Sequence, residues 1–217
     1  MTETDNANNR RLRLVALMLI IVYAVGLTGI VFSPETILPL TPFNLLLSLG
    51  ALLYAAPYRN PQYIRFIIAI VVLGFAVELI GVKTGRIFGV YYYGQTLGIK
   101  ASGIPLIIGV NWAILSICAL SVTHSLPGRD LFKILAGAAL MTSLDALIEP
   151  LCSELDFWHW SEGKAQLKNF AAWFIVSLFF NALGRLLDFE KHNPLAKLVM
   201  LLQIIFFAGL NLANKII

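Results

Sequence analysis

The chain has 217 residues, of which 59% are hydrophobic and 13% charged, and its mean hydropathy is +0.81. A soluble domain carries about 25% charged residues, so this composition excludes a water-soluble globular protein. The net charge of +4 is modest and its basic residues flank apolar runs, which gives no case for a nucleic-acid partner.

Crossing a ~30 Å hydrocarbon core at 1.5 Å per residue takes about 20 residues. A polar leader, residues 1–11, comes first and is expected to be mobile up to Arg10. Seven apolar runs follow: Leu12–Phe32, Thr41–Ala56, Ile64–Ile80, Gly103–Val122, Leu131–Leu151, Asn169–Leu187 and Leu195–Ile217. The second is the shortest. The first exceeds the 7–15 residues of a signal-peptide core and has no small-x-small site after it, so it is expected to stay as a helix. The predicted fold is all-α, a polytopic transmembrane bundle of about seven helices forming a single domain over 12–217. Cys118 and Cys152 fall in or beside helices and are expected to pack as small hydrophobes, not as a disulfide or a metal site.

Lys and Arg in alternate connections set the orientation. Ten of the 16 lie on the N-terminal side, Arg59 among them, and six on the other, including Lys215. This bias predicts a cytoplasmic N-terminus and a C-terminus on the far side.

Glu78, Asp145 and Glu149 stand inside apolar runs. A charge at the bilayer centre costs about 2.5–3.5 kcal/mol on insertion scales, and such residues commonly serve acid–base chemistry or ion movement, with structural pairing as the alternative. Glu78 and Asp145 each lie ~21 Å along helices that start on the same side. Asp145 and Glu149, at i and i+4, share a helical face. Asn111 with Trp112, Asn169 with Trp173, and Asn211 with Asn214 reach the same layer from three further helices. A shared cavity is the expected result. The loop Gly81–Pro105, glycine-rich and carrying Tyr91, Tyr92 and Tyr93, emerges on that side, as does Leu151–Lys168 with FWHW at 157–160. Partly inserted segments that cap the cavity are one reading of these loops, and surface loops with interfacial aromatics the other.

A carboxyl group in a low-dielectric site resists ionising, and neighbouring carboxyls reinforce this. Aromatic faces stabilise a desolvated cation by ~2 kcal/mol. Protonating an alkene, sheltering the cation and delivering water would need these parts and no cofactor. The histidines His124, His159 and His192 are scattered, which disfavours a metal cluster. No mid-helix lysine suits a retinal Schiff base, and the paired aspartate motifs of membrane prenyltransferases are absent.

The order Glu78, GVKTGRIFGVYYYGQTLG, GIP at 103–105, NW at 111–112, DALIEP at 145–150, WHW at 158–160 and NFAAW at 169–173 resembles the membrane carotenoid-biosynthesis family. That family contains the carotenoid 1,2-hydratases, bisanhydrobacterioruberin hydratase among them. The resemblance implies a multi-pass protein of the cell's inner membrane that adds water across the terminal 1,2 double bond of an acyclic carotenoid. Its partners would be a lipophilic carotenoid, the lipid bilayer and other carotenoid-pathway enzymes. On this reading Asp145 donates a proton to C2, and Trp112 faces the cation at C1, joined by Tyr91 or Trp173. Glu149 or Glu78 orients and deprotonates the water, while Asn111 and Asn169 hold that water or a carboxylate. Tyr92, Trp158 and Trp160 are expected to complete the substrate site. The stretch SEGKAQLKNF lacks the tyrosine and proline usual before the family's Asn-Phe pair, so the substrate can differ from that of better-known members. A cyclase or isomerase would share the first protonation. A proton-coupled transporter would use the same carboxylates differently, and a purely structural scaffold would only pair them.

Overall fold

The computed structural model describes residues 3–56 and 60–214. Arg59, Lys215 and the Asn214 side chain, all used in the sequence reading, lie outside the described residues. Helix α1 spans Glu3–Phe32, and a single turn α2 (Pro34–Ile37) and a 3-10 turn lead into α3 (Thr41–Ala55). Then come α4 (Pro61–Thr84), α5 (Ile107–His124), α6 (Asp130–Ile148), α7 (Leu167–Leu186) and α8 (Ala196–Asn214). Seven helical segments among the described residues are long and apolar enough to cross a membrane, the second taking in both α2 and α3.

The boundaries follow local chemistry. Asn60 caps α4 by accepting from the Gln62 N–H at 2.8 Å, with Pro61 at the first helical position. Gly85 closes the same helix in the left-handed conformation, φ 61°. Pro150 lies in the 3-10 turn Glu149–Leu151 that succeeds α6. Two sequence expectations are corrected. The backbone of α1 is helical from Glu3, well before Arg10. Helix α5 starts at Ile107 instead of Gly103, because Lys100–Ala101 and Ile104–Pro105 (strands β2 and β3, after β1 at Tyr91–Tyr93) pair as a hairpin. Ser102 and Gly103 both have positive φ in its turn, the geometry two-residue hairpins require.

Helix α5 is the hub, in contact with α3, α4, α6, α7 and α8. It is apolar around its whole circumference, and Trp112 through Ser121 are all buried. The outer helices show the reverse pattern. Leu17, Ile21, Ile68, Val72, Ile175 and Ile205 are exposed, an apolar exterior suited to lipid and not to water. With no hydrophobic drive between helices in lipid, close packing at small residues does the work. A Cβ on Gly109 of α5 would overlap the Val71 carbonyl oxygen of α4, and one on Gly74 of α4 would meet Trp112 of α5 at 2.8 Å. Replacing Gly109 with Ala is therefore expected to force α4 and α5 apart and destabilise the bundle by about 1–3 kcal/mol. Thermal unfolding in detergent measures this. Gly50, with nothing within 4 Å of its would-be Cβ, is the control that should tolerate Ala.

Candidate active site

The two far-side loops pair with each other. Strand β1 runs antiparallel to β4 (Trp158–Trp160), with Tyr91 opposite Trp160, Tyr92 opposite His159 and Tyr93 opposite Trp158. Alternation along a strand sends successive side chains to opposite faces. Tyr91 and Tyr93 are buried beneath the ribbon, whereas Tyr92 is 60% exposed and stacks on the His159 ring at 5.0 Å. The expectation that Tyr92 lines the site is thus corrected, and Tyr93, which carried no assigned role, takes that place. Period-two alternation puts Tyr93 on the face of Tyr91 once a strand is known, but three residues are too few to reveal the strand in the sequence.

Beneath this ribbon lies a cavity with an empty volume of about 990 Å³, mouth included. It is lined by Glu78, Asn111, Asp145, Glu149, Asn169 and Trp173, and by Tyr91, Tyr93, Trp158 and Trp160 from the loops. Three carboxyl groups from α4 and the α6 end therefore share one chamber. Their surroundings differ.

Glu78, 3% exposed, accepts from three donors. The Tyr91 and Tyr93 hydroxyls donate to Oε2 at 2.5 and 2.8 Å, and Trp112 Nε1 donates to Oε1 at 3.0 Å. It ties the ribbon to the helices and is firmly occupied as an acceptor. Asp145 is 1% exposed and accepts at Oδ2 from Asn169 Nδ2 at 2.9 Å. Its Oδ1 is buried without a partner among the described residues. The same Asn169 amide donates to Glu149 Oε1 at 3.0 Å, and Glu149 Oε2 accepts from Trp160 Nε1 at 2.8 Å. One amide thus bridges the two carboxyls, placing Asp145 and Glu149 side by side.

Trp112 does not line the cavity. It stacks against Trp173 with ring centroids 4.0 Å apart, meets Phe180 edge-on, and spends its N–H on Glu78. Of the two stacked rings, Trp173 lines the cavity and Trp112 lies behind it. Helical spacing could not decide this, because every face of α5 is buried. Asn211 also departs from expectation. Its amide clamps α8 onto α6 through the Leu147 carbonyl at 2.8 Å and is not among the cavity-lining side chains. Cys118 and Cys152 are free and buried, as expected, and Cys152 Sγ lies 3.6 Å from Glu149 Oε2.

A family model described as carotenoid biosynthesis protein matches residues 40–217. The chain belongs to the carotenoid biosynthesis protein family. Nothing among curated proteins or solved structures matches it. For this family member, the matched stretch takes in α3 through α8 and all three cavity carboxyls. A role in carotenoid biosynthesis and a multi-span membrane bundle follow together.

The ribbon has its own clamp at the surface. Asp156 accepts from the Gln95 N–H at 2.6 Å through Oδ2 and meets His159 Nε2 at 2.7 Å through Oδ1. Partial burial alone would raise this carboxyl, but the Gln95 N–H and the His159 ring outweigh it and hold it below the usual carboxylate range. A folded value below the unfolded one means that the clamp stabilises the ribbon above about pH 4 and is lost as pH falls through the folded value. Tryptophan fluorescence of the ribbon is expected to change in acid, and Asp156→Asn to remove that transition.

Proposed function

We propose that this carotenoid biosynthesis protein is a hydratase that adds water across the terminal 1,2 double bond of an acyclic carotenoid. The observation that carries the reading is Asp145, a buried, cavity-lining carboxyl whose Oδ1 has no partner among the described residues, joined by the Asn169 amide to a second carboxyl. An apolar, aromatic cavity suits a hydrocarbon end, and a few placed polar groups suit orientation within it.

In the proposed sequence protonated Asp145 gives its proton to C2. The C1=C2 π pair becomes the new C2–H bond, and the positive charge develops at tertiary C1. Trp173 and Tyr91 present ring faces that stabilise this charge. Water adds to C1 through an oxygen lone pair and loses its second proton to Glu149. Asn169, touching both carboxyls, keeps them close enough for that proton to return to Asp145, so one water is consumed and the enzyme is regenerated. Glu78, with three donors already in place, positions the ribbon and does not exchange protons. No cofactor enters this scheme.

The same reading places residues 12–217 as one membrane domain behind a polar leader, in the inner membrane. The N-terminus would be cytoplasmic and the ribbon on the far side, following the Lys and Arg bias. The carotenoid would reach the site from the bilayer, handed on by other carotenoid-pathway enzymes. Expression in a bacterium that accumulates lycopene, followed by chromatography and mass spectrometry of its pigments, tests the activity. A more polar pigment heavier by one water is expected. An isomer of unchanged mass would make the protein a cyclase or isomerase, and unaltered pigment despite verified membrane expression would point to a substrate other than lycopene or to a transport role for the carboxylates.

A further inference from the structure

The Trp160 indole is held from three directions. The Tyr91 ring lies against it with centroids 5.0 Å apart, and its Nε1 donates to Glu149 Oε2 at 2.8 Å. On another side Gly89, at φ 126°, passes so close that a Cβ there would stand 3.1 Å from Cζ3. These contacts fix the plane of the ring and aim its N–H. A second donor reaches the same oxygen from outside the ribbon. Cys152, buried just past the 3-10 turn that succeeds α6, has its Sγ 3.6 Å from Glu149 Oε2. Each oxygen of a carboxylate offers about two lone-pair sites. Trp160 and Cys152 together take those of Oε2, whereas Oε1 accepts the Asn169 amide at 3.0 Å and keeps one site open among the described residues. The same amide nitrogen donates to Asp145 Oδ2 at 2.9 Å. The open site of Glu149 is therefore on the oxygen that shares a donor with Asp145.

We propose that Trp160 is a positioning residue for hydration: with Cys152 on the same oxygen, it turns Glu149 so that Oε1 takes the proton from the attacking water. The inference rests on the hydratase reading, with Asp145 as the acid and Glu149 as the base. A lone pair of the water oxygen forms the C1–O bond. One water proton passes to Oε1, leaving its bonding pair on the oxygen of the product alcohol. That proton then returns to the Asp145 oxygen that gave its own to C2. A carboxyl free to rotate presents either oxygen to the water, and a proton taken on Oε2 is left on the side away from the bridging amide. Orientation of this kind acts on the proton transfer and not on polyene binding. Trp160 stands opposite Tyr91 in the ribbon, and the Tyr91 hydroxyl donates to Glu78. The base is thus complete only while the ribbon is paired and anchored.

Steady-state hydration by the full chain in detergent tests this, with lycopene and γ-carotene as probes, each carrying an acyclic end. The proteins are wild type, Trp160→Phe, Cys152→Ala, Glu149→Gln and the double variant of Trp160→Phe with Glu149→Gln. Phe keeps a ring beside Tyr91 and removes only the N–H donor. Trp160→Phe is expected to lower kcat about tenfold with KM little changed, the worth of one hydrogen bond to a charged group. Cys152→Ala should lower kcat about threefold, because a thiol is a weak donor. It lies outside the ribbon and carries the test if Trp160→Phe fails to insert. In the Glu149→Gln background Trp160→Phe should cost nothing further, since no base is left to position. A raised KM with kcat kept would make Trp160 a wall of the substrate site and overturn the positioning role. The same tenfold loss in the Glu149→Gln background, or wild-type kcat in both single variants, would overturn it too. Each of these results leaves the hydratase reading standing. Full turnover by Glu149→Gln would remove the base, and wild type that hydrates neither probe would overturn the hydratase reading; the positioning role falls with either.

Discussion

Asp145→Asn is expected to lower hydration of an acyclic carotenoid by about 10²–10⁴-fold, the usual worth of a positioned general acid. Asn keeps the shape of Asp, and its carbonyl oxygen can still accept the Asn169 amide that now reaches Oδ2 at 2.9 Å. What it lacks is a transferable proton. The loss should therefore fall on kcat with KM little changed, the signature of a contact that matters only in the transition state. Membrane insertion and unfolding temperature serve as controls. Full turnover in a normally inserted variant would remove Asp145 as the acid.

Glu78→Leu has its largest effect on stability. The substitution would strand three buried donors at once, the Tyr91 and Tyr93 hydroxyls and Trp112 Nε1. Each unsatisfied buried group costs about 1–3 kcal/mol, so a loss of about 3 kcal/mol or more is expected. The ribbon should loosen first, because two of the three donors come from β1. Glu78→Gln retains one acceptor oxygen and should fall between Leu and wild type. Thermal unfolding followed by tryptophan emission measures that order. A Leu variant as stable as wild type would show that Glu78 does not tie the ribbon to the helices.

The helices were legible because lipid leaves so few alternatives: a long apolar run must hydrogen-bond its own backbone. The three carboxyls were legible for a related reason, since an ionisable group inside such a run is costly enough to mark itself. All three line one cavity. Neutral polar groups carry a weaker mark: Asn111 and Asn169 were legible beside their tryptophans, whereas Tyr23, Asn44 and Gln203, which also line the cavity, read as ordinary members of apolar helices. The pairing of β1 with β4 was hidden by its sequence separation. Three residues per strand leave too short a pattern to reveal register, so Tyr92 was expected inside where Tyr93 stands. Trp112 is legible as a helical residue, but the direction of its ring is not. Its spacing identified a helix, and on a helix buried on every side, spacing carries no direction. Its N–H, bonded to Glu78, sets its role instead.

The central claim is that solvent supplies both the oxygen and the new carbon-bound hydrogen, with Asp145 relaying the latter to C2. Purified protein supplied with lycopene in water enriched in heavy oxygen or in deuterium tests it by mass spectrometry of the product. One heavy oxygen at C1 and one non-exchangeable deuterium at C2 are expected, and both should vanish in Asp145→Asn. A product isomeric with lycopene and free of heavy oxygen, or recovery of unlabelled lycopene alone, would contradict the account.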